Sequence, residues 1–125
     1  GKKLAIWGLT FKPETDDLRE APSLTIIPEL LERNAEVAAF DPLGVENFQE
    51  SCSVSNSVSF GKNPYEVLTD ADALLVLTEW NIFRRPDFGD IADRVRGRVI
   101  FDGRNVFDPK AYNIGAYAQE KTCLD

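Results

Sequence analysis

Leu4-Ala5-Ile6-Trp7-Gly8-Leu9-Thr10-Phe11-Lys12-Pro13-Glu14-Thr15-Asp16-Asp17-Leu18-Arg19-Glu20-Ala21-Pro22-Ser23 runs from an apolar stretch, through a glycine and a polar loop, to the opening of a helical pattern. A short apolar run stopped by Gly reads as a buried strand, so Lys3 to Gly8 is predicted as the first strand. The loop after it is then the first strand-to-helix connection of an α/β domain. In open α/β sheets that connection lies on the ligand-binding edge. It carries two cations, Lys12 and Arg19, in a chain whose net charge is −7. Cations in such a loop point to a phosphate-bearing ligand.

The pattern continues to alternate outward from this stretch. Ser23 is placed as the N-cap of a helix running to about Arg33, with Leu24, Ile27, Leu30 and Leu31 on one side. Pro28 removes one helical hydrogen bond, so a kinked first turn or a later start is expected. Asn34 suits the left-handed conformation that ends a helix. Glu36 to Phe40 reads as the second strand, closed by Asp41-Pro42, and Gly44 to Glu50 as a short helix. Ser51 to Ser59 is a serine-rich loop leading into a weak edge strand. Asn63 to Thr69 is predicted helical, with Pro64 in its first turn. Ala73 to Leu77 is the central strand, Phe88 to Val95 a helix, Val99 to Phe101 the next strand, and Tyr112 to Gln119 a last helix.

Strands alternating with helices imply a parallel sheet covered on both faces. The predicted fold class is α/β: a three-layer α/β/α domain on a five-stranded, mostly parallel, Rossmann-like sheet of order 3-2-1-4-5. In that order the first and fourth strands are neighbours and their helices diverge, which opens a crevice at the topological switch point. Phe11-Lys12, Thr78-Glu79-Trp80 and Asp102-Gly103-Arg104-Asn105 share that edge.

At 125 residues, 43% hydrophobic and 28% charged, the chain is globular and sized for one domain, residues 1–125. The acidic balance argues against nucleic acid and against an anionic membrane surface, and no apolar run is long enough to span a bilayer. Gly1 in place of Met is what a processed or excised chain would show, and the start lacks a signal-peptide layout. Two distant cysteines, Cys52 and Cys123, read as reduced thiols in a cytoplasmic protein. With no histidine, histidine-dependent acid–base and triad chemistry is excluded within the chain and a zinc site nearly so.

Candidate site residues carry a functional and a plain reading. The dinucleotide fingerprint G-x-G-x-x-G is absent, because Thr10 and Pro13 stand where further glycines belong. Without them Asp41 reads as a turn residue before Pro42 rather than a ribose-binding acid, and NAD is not expected as this domain's main ligand. Lys12 is either a solvated loop lysine or a point charge on a phosphate, and its place at the crevice favours phosphate. Spacing alone pairs Arg19 with Asp16, Asp17 or Glu20. These three acids could do acid–base work or hold Mg²⁺, but they read as favouring the positive end of a helix. Arg104 is a bidentate phosphate clamp or a partner for Asp102 or Asp108. Trp80, Phe83 and Phe88 read as core, and Arg84-Arg85 as solvated surface.

Gly8 to Pro22 resembles the signature of the nucleotide-sugar dehydrogenases, the UDP-glucose/GDP-mannose dehydrogenase family, and most of all its UDP-glucose 6-dehydrogenase branch. Phe40-Asp41-Pro42, Thr78-Glu79-Trp80 with Phe83, and Phe101-Asp102-Gly103-Arg104-Asn105 are similar to the same family in the same order. The resemblance weakens from about Tyr112, and the tail Gln119 to Asp125 departs from the apolar last strand it implies, as a truncated or non-native end would. It is a resemblance to the carboxy-terminal domain, which binds the nucleotide of the sugar. The family's amino-terminal domain binds NAD, and its central region makes the dimer and follows a catalytic cysteine.

The resemblance implies that Phe11 and Lys12 contact the substrate's nucleotide and phosphates, that Arg104 contacts the substrate, in some members across a subunit interface, and that Arg19 approaches NAD. No catalytic role passes to Cys52 or Cys123, and no metal is implied. It further implies UDP-sugar as ligand, the NAD-binding and central domains and a homo-oligomer as partners, and oxidation of the sugar's C6 alcohol to a carboxylate by two hydride transfers. This chain alone is expected to be inactive. The alternative is a free-standing nucleotide-binding or interaction module without catalytic activity. A third reading is a domain whose site is completed only by its neighbours.

Overall fold

Side chains along a strand point alternately to opposite faces, and here both faces are apolar. The computed structural model describes residues 2–97, 99–103 and 116–119. Lys3–Trp7 forms β1, Ser23–Glu32 α1, Glu36–Phe40 β2, Val45–Ser51 α2, Val58–Phe60 β3, Ala73–Val76 β4, Phe88–Arg94 α3, Val99–Asp102 β5 and Ala116–Gln119 β6. The sheet order is β3-β2-β1-β4-β5-β6, with parallel pairing throughout. Its first five strands have the 3-2-1-4-5 order expected from the sequence.

Buried side chains divide between the two faces. Ala5, Trp7, Ala38, Phe40, Leu74, Val76 and Ile100 meet Leu68, Phe83 and Ile91 on one side. Ile6, Val37, Ala39, Leu75 and Leu77 meet Ile27 of α1 and Phe48 of α2 on the other. Trp7 stacks on Phe83 with ring centroids 5.0 Å apart and donates its indole N–H to the Pro64 carbonyl at 2.8 Å.

Four local expectations are corrected. Ser23 does not cap α1: Pro22 holds the N-cap position, and Ser23, buried, donates its hydroxyl to the Leu9 carbonyl at 2.6 Å. A buried hydroxyl needs a partner, and the first loop supplies it. Pro28 neither delays nor ends α1, because burial of Ile27 outweighs one missing hydrogen bond. The helix predicted over Asn63 to Thr69 is reduced to a 3-10 turn, Glu66–Leu68. Asn63 Oδ1 accepts from the Tyr65 and Glu66 amides and holds a turn instead. Finally, in the helix predicted over Tyr112 to Gln119, residues 112–115 lie outside the described residues and Ala116–Gln119 forms β6 instead, which pairs with the open edge of β5.

Asn34 ends α1 as expected. It stands at φ 67°, its amide bonds the Leu31 carbonyl, and the Ala35 amide reaches back to the Leu30 carbonyl, the 5→2 and 6→1 pair that closes a helix. At the amino edge of the sheet Asp72 joins three segments. Its carboxylate accepts from the Lys3 amide at 2.8 Å and from both Nε and Nη2 of Arg96 at 3.0 Å. The Arg96 guanidinium, then the Lys3 amide, hold the Asp72 carboxyl down at about 2.

At the carboxyl edge, Gly8 leaves β1 with φ +100°, and a Cβ there would lie 2.5 Å from the Thr78 side chain. Gly8→Ala is therefore expected to lower the unfolding free energy by about 2 kcal/mol or more. Urea denaturation measures it, and a loss below ~1 kcal/mol would show that the β1 and β4 ends separate easily.

Candidate functional site

The edge that carries the site is built by continuing the ladders past the strand ends. The Gly8 amide bonds the Phe40 carbonyl at 2.8 Å, Leu77 bonds Trp7 at 2.9 Å and Gly103 bonds Val76 at 3.1 Å. These bonds bring the loops after β1, β2, β4 and β5 to one rim. Helices α1 and α2 pack on one face and α3 on the other, so the chain diverges between β1 and β4, the topological switch point of a doubly wound sheet.

Asp41 directly follows β2 and is 4% exposed. Its Oδ2 accepts from the Leu9 amide at 2.7 Å, the Thr10 amide at 3.2 Å and the Trp80 indole N–H at 3.3 Å. Its Oδ1 accepts from the Leu43 and Gly44 amides at 2.9 and 2.7 Å. The Oδ1 bonds are the turn role that the sequence suggests. The Oδ2 bonds are not: they tie the loops after β1 and β4 to the end of β2. Thr78 adds a strap across the switch point by donating to the Thr10 carbonyl at 2.6 Å. Thr10 in turn donates to the Lys12 carbonyl at 2.9 Å.

Beyond this knot the first loop turns outward. The Phe11 amide bonds the Asp17 carbonyl at 3.1 Å and closes the loop on itself. Phe11 is 42% exposed and Lys12 is exposed. Arg19 lies on Asp17, with Nη2 2.8 Å from Oδ2 and Nε 3.1 Å from both oxygens, yet its side chain is 89% exposed. The guanidinium, with the Arg19 amide, holds the Asp17 carboxyl at about 2. Asp17 thus serves Arg19 rather than a helix end, and α1 has no acid in its first turn. Phe11, Lys12 and Arg19 line one open cleft of about 270 Å³ with Asp17 and Glu20.

Three of the four sequence-predicted site residues are therefore brought together. Arg104 lies outside the described residues, as do Asn105 and Cys123. The described chain reaches Gly103, just past buried Asp102 at the carboxyl end of β5. Trp80 and Phe83 are core, Phe88 packs partly buried against it, and Arg84 and Arg85 are exposed, as expected. Cys52 is a buried thiol.

Sequence reasoning missed Thr10, Thr78 and the inward role of Asp41. A threonine at the end of an apolar strand run was the available signal, since a hydroxyl buried there must find a partner. The same geometry answers whether a dinucleotide fits. Thr10 and Pro13 deny the close backbone approach that glycines give a pyrophosphate, and the Asp41 carboxylate is turned inward, away from any ribose. The residues present do not suit NAD as the principal ligand.

Residues 5–109 match the family model described as "UDP-glucose/GDP-mannose dehydrogenase family, UDP binding domain". The chain belongs to this family. It is 42% identical over 112 residues to a UDP-glucose 6-dehydrogenase of Pseudomonas aeruginosa, which covers 87% of the chain and 25% of that enzyme. It is 37% identical over 107 residues to the UDP-glucose 6-dehydrogenase of Rhizobium meliloti, covering 86% of the chain and 24% of that enzyme. Among solved structures, a UDP-glucose dehydrogenase from the archaeon Pyrobaculum islandicum superposes with a TM-score of 0.77 at 31% identity, over 94% of this chain and 25% of that one. This member thus spans about a quarter of the length of the curated relatives it matches. Among the described residues no helix is long and apolar enough to cross a membrane.

The Arg19–Asp17 contact has a measurable consequence. A depressed carboxyl pKa contributes stability above the unfolded value, 3.8, and that contribution is lost as pH falls toward about 2. Arg19→Gln is expected to raise the Asp17 pKa toward 3.8. Carboxyl carbon chemical shifts followed by NMR from neutral to acid pH measure it, and an unmoved Asp17 titration would mean the pair does not persist in solution.

Proposed function

We propose that this chain binds the nucleoside diphosphate of a UDP-sugar and holds it for an NAD-dependent nucleotide-sugar 6-dehydrogenase of the UDP-glucose to UDP-glucuronate type. The observation that carries the reading is the exposed Phe11–Lys12 pair, on a loop fixed at the switch point and opening on a cleft shared with Arg19. The fixed segment supplies position, Lys12 supplies charge, and Phe11 supplies a flat apolar face. The names of the relatives support UDP-glucose as the sugar nucleotide.

In this reading Lys12 donates to the diphosphate, Phe11 lies against the nucleotide, and Arg104 contacts the substrate from the loop after β5. Arg19 reaches toward NAD, which is held mainly by the amino-terminal domain of such an enzyme. Bound in that domain, NAD would supply the hydride acceptor. The residues of this chain bind the end of the substrate remote from the reacting C6, and binding energy gained there holds the reacting carbon in place. The partners are the NAD-binding and central domains and further copies of the same enzyme, in the cytoplasm.

Calorimetric titration of the chain with UDP, with GDP and NAD in parallel, tests the reading. Selective binding of UDP is expected, and Lys12→Ala is expected to weaken it about tenfold or more, since a hydrogen bond to a charged group is worth roughly 1.5–3 kcal/mol. An unchanged dissociation constant removes Lys12 from the site, and equal binding of GDP removes the base preference. The chain alone is expected to release no NADH from UDP-glucose and NAD, and steady production by the pure protein would overturn its role as a binding domain.

A further inference from the structure

The geometry points to Thr10, with Asp41 and Thr78 behind it, as a positioning residue for Lys12: its hydroxyl fixes the carbonyl of the residue that meets the phosphate. This rests on the proposed role of Lys12. Thr10 is 1% exposed, and every polar group it has is used. Its amide donates to Asp41 at 3.2 Å, its carbonyl accepts from Thr78 at 2.6 Å, and its hydroxyl lies 2.9 Å from the Lys12 carbonyl. The hydroxyl has one proton and also lies 3.4 Å from Asp41 Oδ2. The shorter contact, and the lone pairs of Oδ2 already taken by three N–H donors, send that proton to Lys12.

Buried donors anchored at both ends of one residue thus reach a loop whose own tip is exposed. Lys12 has a long flexible stem, and an exposed lysine loses side-chain entropy when it is immobilised on an anion. Fixing its backbone beforehand removes part of the ordering that binding would otherwise require. The same strap bounds the Phe11 amide, whose bond to the Asp17 carbonyl is 3.1 Å long, so exchange of that amide reports the loop without any ligand.

The test compares Thr10→Val, which keeps the shape and removes the hydroxyl, with Thr10→Ser, which keeps the hydroxyl. UDP titration and amide hydrogen exchange by NMR are read together. Thr10→Val is expected to raise the UDP dissociation constant about fivefold, the size of one ordinary hydrogen bond. It is also expected to speed Phe11 exchange relative to the core amide of Leu75, with Thr10→Ser restoring both. Thr78→Val, which frees the Thr10 carbonyl, shifts both readouts in the same direction. If Thr10→Val binds UDP as the unaltered chain does, or if Phe11 and Leu75 exchange change only in parallel, Thr10 is merely structural and the inference is overturned. Should the unaltered chain itself bind no UDP, the proposed function fails first. The exchange arm still decides the loop: selective loss of Phe11 protection supports the strap, and unchanged protection overturns it.

Discussion

A carboxylate buried at the end of β2 has to be fully hydrogen-bonded, and the loops after β1, β2 and β4 are arranged around that requirement. Asp41 takes amides from Leu9 and Thr10, from Leu43 and Gly44, and an indole N–H from Trp80. Burying an ionised carboxylate without partners is prohibitively unfavourable. The loops after β1 and β4 therefore have little freedom to sit elsewhere once Asp41 is folded inward. Conversely, loss of the carboxylate would strand several buried N–H groups, each at a cost of about 1–3 kcal/mol. Gly44 fits the same constraint: a Cβ there would fall 2.6 Å from the Thr10 methyl and 3.1 Å from Asp41 Oδ1. The edge is thus a polar knot set on an apolar sheet, and the only parts of the first loop that escape it point outward.

The sheet makes the knot possible. Two apolar faces, one under α1 and α2 and one under α3, place the crossovers on opposite sides and split the chain between β1 and β4. In the dinucleotide-binding sheets of this kind a glycine-rich turn at the switch point admits a pyrophosphate. Here a threonine and a proline replace the later glycines, the backbone is laced by Thr78, and the ribose-binding position has become a structural anchor. Under the proposed function the site lies at the same switch point, and the groups on offer are a lysine side chain and an exposed aromatic ring in place of backbone amides.

What was legible in the sequence follows from the range of the interactions involved. Strands β1, β2 and β4 are short apolar runs with sharp polar or glycine stops, so period and punctuation place them, and crossover handedness then orders the sheet. Asn34 was legible as well, because the left-handed helix end depends on one residue type. Ser23 was misplaced because a cap and a buried hydroxyl look alike in sequence; only the distant Leu9 carbonyl distinguishes them. Ala116–Gln119 shows why short elements mislead: its residues suit either period, and the open edge of β5 decides. Phe11 and Lys12 were legible as neighbours at the rim since one loop carries both, and Arg19 was legible from spacing as a partner of a nearby acid, its place beside them coming from the resemblance alone. Asp41, Thr10 and Thr78 were not, since their meaning arises from contacts across 31 and 68 positions of chain.

Electrostatics separates the two loop cations. The chain is acidic overall, with a net charge of −7, so its long-range field repels a diphosphate and steering cannot supply affinity. At physiological salt that field decays over about 8 Å, which leaves the contacts made inside the cleft to decide binding. Arg19 arrives there already matched to Asp17, whereas Lys12 makes no ion pair among the described residues. Lys12 is consequently the cation whose charge is available to a phosphate at once. Arg19 must first exchange one anion for another, and because its ion pair is solvent-exposed that exchange is inexpensive. A lysine fixed through its backbone and an arginine parked on a nearby acid are two ways of keeping positive charge ready in an acidic protein; under the proposed function the first serves the ligand that this domain holds itself and the second one that approaches from outside it.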